Sequence, residues 1–569
     1  MTILFCAILL FTQSGETILP KWMTPEEYLR IHEIGRGHKI TAPPEGWVET
    51  PGEFEEMRGI FITWLYSSST ARPIFREIVR EVAEICKVYI IVGSSSEQDS
   101  ITNYLQTHNV PLDSIDFFTW PRNSIWIRDY GPWFMRQQDN TQGIVDFIYN
   151  RPRPLDDTIP WRIGQNWAIP VYGSPLEHPG GNFMVDGQGT GFASNLIYQE
   201  NPSMTPAQIE SLMLAYNGLE QFIVLPRINI EYTGHIDLWT KILNDTLVMV
   251  AEYAPGHPNY NILNDNADSI GRCKNREGFP YRIARMPLPW SLSDAPPSYL
   301  NSLIVNNKVL VPLYNQLEDD TALFIYQQLL PDHEIIGIDC TAMSNWGGAI
   351  HCITMQVPSS RYICIQHYPL TDTADTLNDY RLRARIVTSS DLSLDSTGIF
   401  YKVNSGTFSV TPLTPVIDTP GVYDGHIPAQ SLGDTIAYYI LTENSDGVQR
   451  TSPNHVPPQL YSFIIAENTG VIEQPASELI STIVTSPNPV QNILVFSLDM
   501  NKSAPVRIEV YNVLGQLVNV IADGKLGEGH HDIPWNLCDD RGRQCAQGTY
   551  FYRVLSTRTT KVGKILLVK

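Results

Sequence analysis

The feature that most constrains the fold is a repeated alternation of strand-like and helix-like patterns over the first two thirds of the chain. Residues 58–66 read as an apolar strand, and Thr70 is the predicted N-cap of the helix that follows. The apolar residues of that helix fall on one stripe: Ile74, Ile78, Val82 and Ile85. The same order returns at residues 205–225 and 308–340. Repeated β–α–β units predict an α/β domain, which we place at residues 46–370.

The pattern changes after this domain. Short runs of alternating apolar and polar residues, separated by Gly, Pro, Asp and Asn, predict an all-β sandwich of immunoglobulin-like size over residues 371–468. Residues 469–485 read as a linker, and residues 486–569 as a second, small β-sandwich. The chain is therefore expected to contain three folded domains of different architecture.

The N-terminus opens with the apolar run of residues 3–11, which includes Cys6 and is too short to span a bilayer. It predicts a signal peptide at residues 1–18, although a basic n-region is missing. Residues 19–45 are then an N-terminal segment and a candidate propeptide. A buried strand is the alternative for the apolar run.

Composition and charge narrow the classes of function. With 43% hydrophobic and 17% charged residues, the 569-residue chain is globular rather than disordered. Its net charge of -21 disfavours nucleic acid and anionic membranes as partners. The cysteines and histidines do not have zinc-binding spacing, so we expect no metal site.

Four stretches of the α/β domain are dense in polar residues that core packing does not require: WIRDYGPWF, HPGGNFMVDGQG, EYTGHIDLW and WGGAIHCITMQVP. Together they supply two carboxylates, a histidine and a thiol. The carboxylates of Asp129 and Asp237 can hold a planar cation, the thiolate of Cys352 can attack it, and His235 can act as acid and base. This set of groups suits attack on a guanidinium carbon, with the histidine protonating the departing ammonia.

Each of these residues also has an ordinary alternative. An aspartate after an arginine is usually a surface pair, and a lone cysteine is usually buried and inert. On a strand, His235 and Asp237 would share one face, whereas His351 would point away from Cys352 and have a structural role.

In this order the four motifs resemble the guanidino-modifying superfamily, in its branch of agmatine deiminases and bacterial peptidylarginine deiminases. The resemblance spans about residues 51–358, and it implies a pseudo-fivefold β/α propeller and a covalent thiouronium intermediate. By motif it implies a nucleophile, an acid/base group and two guanidinium ligands: Cys352, His235, Asp129 and Asp237. An asparagine of the family matches Asn301 best, with Asn306 as second candidate. The resemblance implies no metal and no other cofactor, whereas the vertebrate peptidylarginine deiminases need calcium.

The stretch IVDFIYNRPRPLDD resembles the secreted bacterial peptidylarginine deiminases, in which basic residues meet the carboxylate of a C-terminal arginine. The matching residues are Arg151 and Arg153, and agmatine has no carboxylate for them to bind. Trp126 and Tyr232 are candidates to line the aliphatic stem of the substrate. The predicted reaction converts C-terminal peptidyl-arginine to citrulline. The alternatives are an agmatine deiminase that yields N-carbamoylputrescine, a non-catalytic surface adhesin and, for the two arginines, a plain surface loop.

The last 85 residues or so resemble the C-terminal sorting domain of proteins exported by the type IX secretion system. The resemblance rests on SPNP at residues 486–489, on VYNVLGQLV, on GTYFYRV and on the lysine-rich end. It implies secretion or attachment to the outer-membrane surface, with the secretion machinery as a partner. A further β-sandwich without an address function is the alternative.

Overall fold

The computed structural model of the chain describes residues 18–138, 141–344, 346–417, 419–454, 459–466, 480–486, 490–500, 502–512, 517–556 and 559–567. The predicted signal peptide, with Cys6, lies outside the described residues apart from Ile18, and so does most of the predicted linker. The chain forms two compact units, Met1–Glu467 and Asn468–Lys569.

The alternation of strands and helices predicted for the first unit is confirmed. Its α-helices are Pro25–Tyr28, Arg72–Ala83, Ser95–Thr107, Ile127–Tyr130, Ile159–Trp167, Leu196–Glu200, Pro206–Asn217, Tyr260–Gly271 and Asp319–Leu329. The helix Pro206–Asn217 has a capping box from Thr205 and Gln208 and ends at Gly218, whose φ of 64° is left-handed. The prediction of Thr70 as an N-cap is wrong: Ala71 is the N-cap of the second helix and gives no side-chain bond. None of the helices in the described ranges is both long and apolar enough to cross a membrane.

The described strands of the α/β domain form five small sheets with a common plan. In each, an antiparallel pair is extended by a parallel strand. In spatial order, the first sheet contains Val48–Glu49, Trp133–Gln137, Gln142–Ile148 and Val171–Glu177, and the second contains Gln221–Leu225, Thr190–Ser194 and Met184–Val185. The third contains Thr240–Asn244, Leu247–Glu252 and Arg282–Pro287, and the fourth contains Leu303–Val305, Lys308–Leu313 and Glu334–Asp339. The fifth contains Thr354–Pro358, Met57–Thr63, Lys87–Val92 and Ile115–Thr119.

The fifth sheet joins the end of the domain to its beginning. Strand Thr354–Pro358 pairs antiparallel with strand Met57–Thr63, almost 300 residues earlier in the chain. One apolar core of buried residues runs through the domain, and Phe61 and Val357 both belong to it. This closure holds the loop that precedes residue 354 against elements from the start of the chain.

The all-β part of the first unit has two antiparallel sheets around a separate core that contains Leu382 and Ile436. Their strands are Ile363–His367, Tyr380–Thr388, Val422–Ile427 and Thr414–Pro415 in one sheet, and Ser409–Pro412, Gly398–Val403, Thr435–Glu443, Gln449–Ser452 and Tyr461–Ile464 in the other. Strand Ile363–His367 pairs with Tyr380–Thr388, so this sheet reaches across the domain boundary that we placed at residue 370.

The second unit is also built of antiparallel sheets. One contains Ile480–Ser486, Leu494–Met500 and Gly529–Trp535, and the other contains Leu517–Leu526, Ala504–Asn512, Gly548–Ser556 and Thr559–Leu567. The first strand starts six residues before residue 486, so the sheet reaches into the predicted linker. Residues 487–489 of the SPNP motif lie outside the described part of the chain.

Candidate active site

Five of the residues singled out in the sequence lie together in one fully buried cluster, which we call the floor of the site: Asp129, His235, Asp237, Asn301 and Cys352. The thiol Sγ of Cys352 lies 3.4 Å from Oδ2 of Asp237 and accepts a hydrogen bond of 3.1 Å from Nδ2 of Asn301. The same Nδ2 lies 3.1 Å from Oδ2 of Asp237, and Nδ1 of His235 lies 3.4 Å from Oδ1 of Asp129. Asn306, the second asparagine candidate, instead bonds the main chain of Met57.

The glycines before Cys352 make room for its side chain. Cys352 lies in the short 3-10 helix His351–Ile353 that precedes strand Thr354–Pro358. A Cβ atom on Gly348 would stand 2.6 Å from Sγ of Cys352 and 3.1 Å from the Trp126 indole, closer than packing allows. The glycine therefore lets the chain turn directly against the thiol.

His235 and Asp237 are positioned by a 3-10 turn rather than by the predicted strand. Ile236–Leu238 is a single 3-10 turn, and His235 is its N-cap. Both side chains still reach the floor, because His235 lies directly before the turn and Asp237 lies within it. The prediction of a strand was wrong here, while the two side chains meet as expected.

A second glycine fixes the other side of the floor. The N–H of Gly181 donates a hydrogen bond of 3.2 Å to Oδ1 of Asp129. A Cβ atom on Gly181 would lie 2.6 Å from Nδ1 of His235 and 2.7 Å from Oδ1 of Asp129. The HPGG stretch therefore places main chain, rather than a side chain, against the acid/base pair.

His351 does not point away from the site, contrary to the expectation for a strand. Its Nδ1 lies 2.8 Å from Oδ2 of Asp237, and its Nε2 lies 2.8 Å from Oε1 of Glu53. Glu53 in turn pairs with Arg128 and Lys241, each at 2.8 Å. His351 and Glu53 thus form a buried layer of charges beneath the floor, which orients Asp237.

Burial and neighbouring charges, including Lys21 of the N-terminal segment, set the pKa values of the site. Burial raises the pKa of Glu53, but Arg128, His351 and Lys241 outweigh it and hold the pKa well below its usual range. The pKa of Asp237 is lowered despite its burial, because Lys21 and His351 lie beside it, and the pKa of Asp129 is lowered by Lys21 and His235 in the same way. Both carboxylates are therefore anions. Burial and Asp237 raise the pKa of the Cys352 thiol, and the cation of Lys21 opposes them.

Lys21, from the N-terminal segment, fills the space between these groups. Its Nζ lies 2.9 Å from Sγ of Cys352 and 3.7 Å from Oδ1 of both Asp129 and Asp237, and its side chain is fully buried. Burial lowers the pKa of Lys21, but the two carboxylates and Cys352 outweigh it, so the net pKa is raised. The site therefore holds a single buried cation between two carboxylates, directly against the sulfur.

The other four candidates form a second group, next to the N-terminal segment, which we call the mouth: Trp126, Arg151, Arg153 and Tyr232. Each contacts the N-terminal segment. Trp126 Nε1 donates to the Leu19 carbonyl at 2.8 Å, and Arg151 Nε donates to the Lys21 carbonyl at 2.9 Å. Three of them are buried, but Tyr232 is 57% exposed.

The remaining mouth contacts involve Arg153 and Tyr232. Arg153 Nε pairs with Glu27 at 2.7 Å. The ring of Tyr232 lies 5.0 Å from that of Trp22. All four predicted mouth residues are thus engaged by residues 19–27.

Three residues of the site were not found from the sequence: Lys21, Glu53 and His351. Lys21 and Cys352 are 331 positions apart, and no spacing rule connects them. Glu53 stands in the PGEFEE stretch at the start of the resemblance, where one acidic residue cannot be told from its neighbours. Among the described residues, no group of three or more His, Cys, Asp or Glu side chains is arranged to hold a metal ion.

Comparison with known proteins gives two family matches. Residues 49–358 match the model described as Porphyromonas-type peptidyl-arginine deiminase, and residues 486–569 match a secretion system C-terminal sorting domain. The second match identifies the type IX sorting domain, so the protein is secreted or attached to the cell surface, and the secretion machinery is its implied partner.

Individual relatives agree with the first match. A protein of Latilactobacillus sakei named among the agmatine deiminases is 27% identical over 373 residues, which is 56% of this chain and 99% of that protein. A solved structure named as an agmatine deiminase is 23% identical, covers 56% of this chain and 98% of its own, and has a TM-score of 0.52. Another, named as a peptidyl-arginine deiminase, is 22% identical, covers 55% and 99%, and has a TM-score of 0.50. The two structures show that the α/β domain has the deiminase fold.

Proposed function

Because the chain belongs to the Porphyromonas-type peptidyl-arginine deiminase family, whose enzymes act on guanidino groups, we propose that it hydrolyses C-terminal peptidyl-arginine to citrulline and ammonia. The observation that carries this choice is the position of Arg151. Its Nε lies 2.9 Å from the carbonyl oxygen of Lys21, the residue whose side chain fills the cation pocket. A C-terminal arginine held in the same way would present its carboxylate to Arg151.

The charge of the mouth supports the same substrate. Arg151 and Arg153 are both buried next to the backbone of Lys21 and its neighbours. Agmatine has a hydrogen atom where a C-terminal arginine has its carboxylate, and the amine on that same carbon is a second cation. Two buried guanidinium groups would repel that cation, whereas they would bind the carboxylate with charge-assisted hydrogen bonds. The mouth therefore fits an agmatine deiminase less well. A non-catalytic adhesin would not explain why the acidic, basic and thiol side chains of the floor are buried together.

In the proposed reaction, Asp129 and Asp237 hold the guanidinium cation against Cys352. The thiolate bonds to the guanidinium carbon, His235 protonates the departing nitrogen, and ammonia leaves a thiouronium group on the sulfur. His235 then takes a proton from water, whose oxygen bonds to the same carbon and releases the ureido product and the thiolate. Asn301 orients Cys352 and Asp237 through its amide. The bound cation also favours the thiolate, because a positive charge in this position lowers the pKa of Cys352.

The architecture follows the same proposal. We take the five sheets as the blades of a pseudo-fivefold β/α propeller, the two sheets after residue 363 as an immunoglobulin-like domain and the N-terminal residues as a signal peptide and propeptide. Catalysis needs no calcium, because carboxylates and a thiol supply every charge that the proposed steps use. Activity should accordingly be unchanged in excess EDTA.

The substrate can be tested with four compounds: a peptide ending in arginine, the same peptide amidated, free arginine and agmatine. Ureido formation is measured with the full chain and with Lys21→Met, because the ammonium of Lys21 lies in the pocket. A charge-assisted hydrogen bond contributes about 1.5–3 kcal/mol, so the acid peptide should exceed the amide by about tenfold to hundredfold in kcat/KM. Arg151→Ala should remove most of this difference between the acid and the amide. Arg151→Lys should keep the positive charge but lose the bidentate hydrogen bonding of the guanidinium group. Equal rates on acid and amide, or the fastest rate on agmatine, would contradict the proposal.

A further inference from the structure

Residues 19–22 of the N-terminal segment lie across the mouth, with a bend at Lys21 and Trp22. Main-chain groups of four consecutive residues, 19–22, are hydrogen bonded by the site. Trp126 bonds the Leu19 carbonyl, and Arg153 Nη2 bonds those of Pro20 and Trp22 at 2.8 and 3.2 Å. The N–H of Lys21 donates to the Trp346 carbonyl at 3.0 Å. Hydrogen bonds to the main chain of consecutive residues are also how proteins hold peptide ligands.

The side chain of Lys21 imitates a substrate arginine. In lysine, Nζ is separated from Cα by the same number of bonds as the guanidinium carbon Cζ is in arginine. The atom that lies 2.9 Å from Sγ of Cys352 therefore stands where the carbon to be attacked would stand. The carboxylates of Asp129 and Asp237 each lie 3.7 Å from this Nζ. In a bound arginine, the guanidinium nitrogens would lie between Cζ and these carboxylate oxygens. Lysine has no guanidinium carbon, so the thiolate has nothing to attack.

The segment also supplies a carboxylate. Helix Pro25–Tyr28 is fixed by a capping box in which Thr24 and Glu27 bond each other's main chain. The carboxylate of Glu27, thus oriented, pairs with Arg153 at 2.7 Å and is buried with it. One short segment therefore fills the cation pocket with Lys21 and occupies an arginine of the mouth with Glu27. These are the two charged groups that a C-terminal arginine carries.

We propose that residues 19–27 are an intramolecular inhibitor, held in the active site as a pseudosubstrate that cannot be converted. The proposal rests on the proposed function, since it assigns the pocket to a guanidinium. Beyond Glu27 the chain is accessible: Leu29 is 81% exposed, and Arg30, Arg36 and Lys39 lie on the surface. Cleavage in this stretch frees the segment from the domain and allows it to leave.

The first test compares kcat/KM on an arginine-ending peptide for four full-length proteins: wild type, Lys21→Met, Glu27→Gln and Lys39→Met. Lys39 is the matched control, since it belongs to the same N-terminal stretch but lies over the ring of Trp161, outside the site. Lys21→Met and Glu27→Gln should each raise kcat/KM by about tenfold or more, as expected for the loss of charge-assisted contacts. Lys39→Met should equal wild type. If all four proteins are active and equal, the inhibitor proposal is overturned while the proposed function stands.

The second test turns the pseudosubstrate into a substrate. In Lys21→Arg the sulfur bonds to the guanidinium carbon, ammonia leaves, and water then cleaves the carbon–sulfur bond to give a ureido group at that position. Peptide mass spectrometry should find this conversion at a rate independent of protein concentration, and Cys352→Ala in the same background should abolish it. If the wild type deiminates added peptide while position 21 of the Lys21→Arg protein stays unconverted, the pseudosubstrate geometry is contradicted.

A third readout does not need turnover. Cys352 is fully buried beneath Lys21, so iodoacetamide should label it slowly in the wild type. Glu27→Gln loosens the segment and leaves every group of the floor in place, so labelling of Cys352 should accelerate at least tenfold. The six other described cysteines are internal references: Cys86, Cys273, Cys340, Cys364, Cys538 and Cys545. If none of these proteins converts any guanidino compound, the proposed function is contradicted. The inhibitor proposal is contradicted as well if Glu27→Gln leaves the labelling rate of Cys352 unchanged.

Discussion

The floor and the mouth of the site are built in different ways. Floor residues bond mainly to one another and to the buried layer of Glu53 and His351, so their geometry is set by the folded domain. Mouth residues bond to residues 19–27, a segment at the edge of the domain. The floor thus fixes which chemistry is possible. In our proposal the mouth selects the molecule that reaches the floor, and residues 19–27 compete for the same position.

The largest expected effect is on the floor. Cys352→Ala should abolish ureido formation, because in the proposed reaction its sulfur forms the covalent intermediate. Removing one sulfur beside Gly348 leaves the fold intact, which thermal unfolding should verify. Cys340→Ala is the matched control, since Cys340 is also fully buried but lies outside the floor, and it should keep wild-type activity. Measurable turnover by Cys352→Ala would remove this residue from its role.

His235 should come next. General acid–base catalysis contributes about 10²–10⁴-fold, so His235→Gln should lose that much kcat while KM changes little. Glutamine keeps a polar side chain beside Asp129 but cannot shuttle a proton at neutral pH. Activity within a few-fold of wild type would assign the proton transfers to another group.

The sequence predicted the floor better than its surroundings. Asp129, His235, Asp237 and Cys352 were found because together they supply two carboxylates, a histidine and a thiol in stretches rich in glycine, whereas Asn301 was found only through the resemblance to the family. The helix Pro206–Asn217 was equally readable, since its capping box and Gly218 mark both ends.

The failures have physical causes. His351 was assigned to the wrong face because it lies in the 3-10 turn His351–Ile353 rather than in a strand, and the strand expected at His235 and Asp237 is likewise replaced by the 3-10 turn Ile236–Leu238. Turns of three residues leave no periodicity in a sequence. Lys21 was missed because its partners are more than 100 residues away, and contacts of that range follow from the fold alone.

The buried charges predict opposite pH effects in the two regions. Glu53 under the floor has a lowered pKa, so its ionised form stabilises the fold above the unfolded value of about 4.3, and this contribution is lost as pH falls through the native value. Glu200, bonded to Asn150 next to the mouth, has its pKa raised to about 8 by burial. It contributes stability at low pH, which is lost as pH rises from about 4.3 to about 8.

Urea unfolding from pH 3 to pH 9 checks these signs. Glu53→Gln removes the carboxylate that pairs with Arg128 and Lys241 and should cost about 3–5 kcal/mol at pH 7, with a smaller penalty in acid. Glu200→Gln should flatten the decline of stability between pH 5 and pH 8. Identical pH profiles for both variants and the wild type would mean that neither carboxyl is coupled to folding.

The smallest effect is the most informative about the mouth, because its sign separates two roles of Tyr232. We predicted that this residue lines the substrate stem, but its ring is mostly exposed and lies against Trp22 of the inhibiting segment. An aromatic pair of this kind contributes about 0.5–1.5 kcal/mol, or roughly twofold to tenfold. If Tyr232 mainly holds the segment, Tyr232→Ala should raise kcat/KM on an arginine-ending peptide by that factor. If it mainly lines the substrate, the same change should lower kcat/KM and raise KM. Tyr232→Phe keeps the ring and should match wild type in either case.

Repeating both variants in the Lys21→Met background separates the two roles further. Once the segment is loosened, Tyr232 no longer holds it, so a gain from Tyr232→Ala should disappear, whereas a loss through substrate contact should persist. We expect a gain that Lys21→Met abolishes, since the only ring that Tyr232 contacts in the described structure belongs to the segment.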